Sequence, residues 1–88
     1  MLNIADTAAG MVSTDYKERF IAEYTQLLIR YRKLYHYIQQ IECEKYTGVA
    51  VPHDSPMELL NEQLEYMNMY LEILQKRAII EGIDITGL

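Results

Sequence analysis

Eighty-eight residues give room for one small domain, and a chain that is half hydrophobic is too apolar for a disordered segment. The net charge of −5 argues against a general nucleic-acid coat, which carries a basic footprint, and no apolar run approaches the ~20 residues that span a bilayer. The single cysteine, Cys43, excludes an internal disulfide framework and suits a reducing cytosol.

Residues 1–14 read as a loose arm. Gly10 interrupts any helix there, and Met1 to Val12 carry no Lys or Arg and no sustained apolar core, a poor match to a signal peptide. Leu2, Ile4, Met11 and Val12 offer apolar contacts to a neighbour, but fraying is the simpler expectation.

The remainder, residues 15–88, is predicted to be one helical hairpin domain. Its first helix starts at Asp15, whose carboxylate accepts an orphan backbone N–H while Glu18 reaches back in a capping box. Phe20, Tyr24, Leu27, Tyr31, Leu34, Ile38 and Ile41 alternate three- and four-residue steps, the spacing of a helix seam, with Ile21, Leu28 and Tyr35 widening the apolar face. The pattern predicts a helix over 15–46, a rod of roughly 48 Å, stopped by Gly48.

A loop with Pro52 and Pro56 follows. Ser55 is expected to cap the second helix, with Pro56 at its first position and Glu58 closing the box. Met57, Leu60, Leu64, Met67, Leu71, Leu74 and Ala78 repeat the seam, and Gly82 ends a helix over 56–81 of roughly 39 Å. The tail from Ile83 to Leu88 is short and has no clear assignment. The fold class is therefore all-α, a two-helix antiparallel hairpin.

The second helix has a further apolar row, Leu59, Tyr66, Tyr70, Ile73 and Ile80, roughly 110° around its axis from the seam. One partner helix covers one row, and a domain of this size gains only ~3–5 kcal/mol from its own core. The expectation is a homo-oligomer, a dimeric four-helix bundle or a larger ring, assembled through this helix.

Signs of catalysis are weak. His36 and His53 have no second ligand at metal spacing, Ser55 is explained as a cap, and Cys43 between Glu42 and Glu44 is poorly placed as a nucleophile. The four isolated glycines make no phosphate loop. A non-enzyme without metal or cofactor is expected.

Tyrosine is the unusual residue, eight against one Phe and no Trp. Tyr24 and Tyr31 belong to the seam, and Tyr66 and Tyr70 suit subunit contacts. The sharper alternative has Tyr16, Tyr37 or Tyr70 stacking on a nucleobase beside guanidinium groups. Six of the eight basic residues fall in the first helix, where Arg19, Arg30 and Lys33 share a face with Tyr37. Arg77 interrupts the second apolar row, so it meets either a carboxylate of another chain or an anionic ligand. The candidate ligand-binding set is Tyr16, Arg19, Arg30, Lys33, Tyr37, Tyr70 and Arg77.

The run Asp15-Tyr16-Lys17-Glu18-Arg19-Phe20, followed by Glu23-Tyr24, Arg30-Tyr31 and Lys33-Leu34, resembles the opening of a family of small phage proteins first catalogued in crAss-like phages. Ser55-Pro56, Glu58-Leu59-Leu60, Gln63, Met67, Tyr70-Leu71, Leu74, Arg77-Ala78 and Glu81-Gly82-Ile83 look like its second half, so the resemblance covers residues 15–83. More distantly, the architecture is similar to the helical-hairpin sponges with which phages sequester cyclic nucleotide signals of the CBASS and Thoeris immune systems. Those resemblances imply a phage counter-defence protein of the host cell cytoplasm that holds a cyclic oligonucleotide or ADP-ribose derivative between subunits. The alternative they leave is a protein-binding inhibitor or adaptor acting on a host defence protein such as a CRISPR or CBASS effector.

Overall fold

The computed structural model describes residues 15–88, so the arm expected over residues 1–14 lies outside the described residues. Three helices follow in order: α1 (Tyr16–Glu42), α2 (Glu44–Thr47) and α3 (Met57–Glu81). The two long helices pack against one another, and no strand occurs among the described residues. No helix among them is long and apolar enough to cross a membrane.

Both seams meet as their spacing requires. Near the open end Phe20 and Tyr24 of α1 pack with Leu71, Leu74 and Ala78 of α3. Near the connecting loop Ile38 and Ile41 pack with Leu60, flanked by Leu34, Met57 and Leu64. Ile21 and Leu28 widen the first cluster, but Tyr35 remains exposed and stacks on Tyr31 at 6.1 Å between centroids. Thr25 is buried and donates its hydroxyl to the Ile21 carbonyl at 2.7 Å, so it leaves no orphan group in the interior.

Helix ends depart from expectation in two places. Asp15 caps α1 by accepting from the Lys17 N–H at 2.9 Å. The helix does not run on to Tyr46, however. It breaks at Cys43, and the single turn of α2 ends at Gly48, whose φ of 71° is the left-handed conformation that suits glycine. Beyond the break, Glu44 accepts from the Val51 N–H and the Tyr37 hydroxyl donates to the Pro52 carbonyl at 2.5 Å, which draws the loop back along α1.

Ser55 does not cap α3. Pro56 occupies that position with ψ 151°, and no side chain bonds to the first turn. The Ser55 carbonyl lies 2.7 Å from His53 Nδ1 instead. Proline's fixed φ fits either position, and its extended ψ moves the start one residue along. Gly82 ends α3 with φ 69° and donates to the Ala78 carbonyl. The Ile83 N–H donates to the same carbonyl at 2.8 Å. That turn carries Ile83 into the core beside Ile85 and Leu88, so the tail is part of the fold.

Candidate functional site

Phe20 sits on the α1 seam, buried beside Leu71, Leu74 and Ala78 of α3. Arg77, on the last turns of α3, lays its guanidinium over that ring, 5.1 Å from the centroid. Its Nε donates to Glu81 Oε2 at 2.8 Å across one helical turn. The ring quadrupole and the carboxylate thus fix the charge in place. The hydrogen bonds to Glu81 raise the Arg77 pKa further, with burial opposing and Glu81, Glu23 and Tyr70 reinforcing.

Arg77 therefore has its carboxylate within its own helix, four residues on. The choice between another chain's carboxylate and a bare anion site overlooked this spacing.

Tyr16, Arg19, Phe20, Glu23 and Arg77 line a cleft of about 220 Å³. Glu23 accepts a hydrogen bond from the Tyr70 hydroxyl, joining α1 to α3. That bond raises the phenol pKa above 10.0, with burial and the Glu23 charge adding and Arg77 opposing. Beyond Tyr70 runs a second hollow of about 450 Å³, whose walls include Leu27, Leu59, Gln63, Tyr66 and Met67 as well as Tyr70. The Tyr70–Glu23 contact is the partition between the two.

Four of the seven candidate residues therefore gather in one place: Tyr16, Arg19, Tyr70 and Arg77. The other three lie farther along α1. Arg30 is eleven residues beyond Arg19, about 17 Å along the helix axis. Lys33 is exposed past it, and Tyr37 is engaged with the Pro52 carbonyl at the loop end. Phe20 and Glu23 line the cleft as well, and the candidate set did not include them. Phe20 was assigned only to the seam, and Glu23 appeared only in the run that carries the family resemblance.

At about 220 Å³ the cleft falls below the ~300–1,000 Å³ typical of small-molecule pockets, and it is open on one side. It offers a cation, a second basic residue, a carboxylate and aromatic edges, a set that suits a ligand carrying both a phosphate and a ring or hydroxyl. A third hollow of about 480 Å³ lies at the opposite end, beside His36, Cys43, Val49 and Val51, with no Lys, Arg, Asp or Glu in its lining. Among the described residues no three His, Cys, Asp or Glu side chains converge as metal ligands.

A family model described as Sequestin matches residues 14–80, which takes in both seams, all of α3 but Glu81, and every residue of the cleft. No curated protein and no solved structure matches the chain.

Proposed function

The chain belongs to the Sequestin family, and from that premise we propose that it binds and withholds a nucleotide immune signal, a cyclic oligonucleotide or an ADP-ribose derivative, without chemically altering it. It acts in this reading as a phage counter-defence protein in the host cell cytoplasm. The observation that carries the reading is the guanidinium of Arg77, held over Phe20 beside Arg19, Tyr16 and the Tyr70–Glu23 pair. The Arg77 Nε and Nη2 edge is held by Glu81, and the remaining guanidinium N–H groups can donate to a phosphate while exposed tyrosine rings stack on a base. The family's name is compatible with sequestration of some molecule, and the cation and aromatic rings of the cleft support a nucleotide as that molecule.

Isothermal calorimetry against a panel of cyclic dinucleotides, cyclic trinucleotides and ADP-ribose derivatives tests the reading. At least one member is expected to bind and to be recovered unchanged. Arg77→Lys is expected to weaken binding about tenfold while retaining the charge, because an ammonium lacks the planar guanidinium geometry. Heat with no member of the panel, and no nucleotide mass in the protein purified from infected cells, would overturn the proposal. The reading then favoured is the inhibitor of a host defence protein, for which the exposed α3 face with Glu58, Glu62 and Glu65 supplies an acidic and apolar surface.

A further inference from the structure

Leu59, Tyr66, Ile73 and Ile80 recur every seven residues along α3, and each is more than half exposed. Seven-residue recurrence keeps them in one stripe over the length of the helix. Met69 and Tyr70, exposed by 46% and 43%, flank the middle of the stripe. Six side chains of this size expose on the order of 600 Å² together, the upper end of what a soluble monomer leaves bare and close to the ~800 Å² each partner contributes to a stable interface.

We infer that this face is covered by a second copy of the chain, with α3 packed antiparallel on α3 about a two-fold axis near Met69 and Tyr70. The charges select that partner and that direction. Glu62 stands seven residues before Met69 and Lys76 seven after it. Gln63 and Arg77 stand in the same relation to Tyr70. Folding one helix onto its copy about that midpoint sets Tyr66 against the partner's Ile73 and Leu59 against the partner's Ile80. On one flank Glu62 meets the partner's Lys76, and on the other Gln63 meets the partner's Arg77.

The midpoints of these pairs fall at Met69, at Tyr70 and between the two, within half a residue of one another, so a single register serves the apolar stripe and both flanks. A parallel pair would instead set each flank against the partner's opposite flank, with Lys76 beside the partner's Arg77 and like charges at close range. An isologous contact of this kind closes at two copies.

The arrangement also covers the open hollow, whose walls Leu59 and Tyr66 belong to the stripe. The pairing itself rests on the stripe and the flanking charges, so it stands or falls separately from the nucleotide reading.

Cross-linking tests both the partner and the direction. In a Cys43→Ser background, which removes the native thiol, Met69→Cys lies near the axis and is expected to give a disulfide-linked dimer under mild oxidation. Glu62→Cys alone is expected to link at least about tenfold less, whereas an equal mixture of the Glu62→Cys and Lys76→Cys proteins gives the mixed disulfide, as a Cα separation of ~4.4–6.8 Å requires. Light scattering of the ligand-free wild-type protein should report twice the chain mass. Glu62→Lys should weaken the dimer, and adding Lys76→Glu to it should restore the wild-type affinity. A monomer at 100 µM (roughly the upper concentration at which a specific dimer of this area forms) overturns the inference. Self-linking of Glu62→Cys as readily as Met69→Cys overturns it equally, because the antiparallel register keeps the two copies of that position apart.

Discussion

Leu74 keeps only 1% of its surface exposed, between Phe20, Tyr24 and the returning tail, whereas Ile79 on the same helix is 82% exposed and lies off both apolar rows. Truncating each to alanine separates burial from mere hydrophobicity. Leu74→Ala is expected to cost about 2–5 kcal/mol in urea unfolding, a lost transfer contribution plus a cavity. Ile79→Ala should stay within about 0.5 kcal/mol. Tyr70 supplies a test of a different kind. Its hydroxyl donates to Glu23, so folding holds the phenol neutral and raises its pKa above 10.0. A raised folded-state value means that the contribution is fully present below pH 10 and is lost as pH rises through the raised value. Solvent screens so exposed a pair, so the stability gap between wild type and Tyr70→Phe should be small at pH 8 and should close or reverse by pH 11. A gap that stays constant across that range would show that the hydroxyl contributes nothing through Glu23.

The elements show why periodicity was legible and their ends were not. The two seams could be read because apolar side chains at three- and four-residue steps have one way to avoid water, and both core clusters draw on those positions. The break at Cys43 carries no glycine or proline to announce it. It accompanies Glu44 and Tyr37 bonding to a loop seven to fifteen residues away, which no local pattern encodes. The same distinction divides the cleft. Arg77 and Glu81 stand at a spacing that announces a pair, whereas Tyr70 meets Glu23 through the stagger of α3 on α1, which matching heptads leave free by whole turns. Gly82 was legible for a physical reason, because few other residues adopt φ 69° at a helix end. A Cβ added there meets nothing within 4 Å, so the cost of Gly82→Ala is conformational alone. It is expected at about 1 kcal/mol, with Gly82→Asn nearer to wild type, both read from urea midpoints.

At the scale of the molecule, the described residues form two small clusters strung along one helix pair with no third layer, and the stripe of α3 is left exposed. A core of that thickness contributes ~3–5 kcal/mol when alone, so covering the stripe is a large fraction of the total stability. Folding and association are then linked, and mass action gives the link a measurable form. Raising the protein concentration a hundredfold favours association by about 2.7 kcal/mol per dimer, or roughly half of that per chain. For a chain of this length that amounts to a rise in Tm of about 5–10 °C between 1 and 100 µM, measured by circular dichroism at 222 nm (about the usual helix wavelength). Ile73→Glu places a charge in the middle of the stripe without touching either core cluster, so it should lower Tm at 100 µM and abolish the concentration dependence. A wild-type Tm that is flat over the same range would mean that the hairpin is stable by itself, and the stripe would then have to be covered by some other molecule or by none.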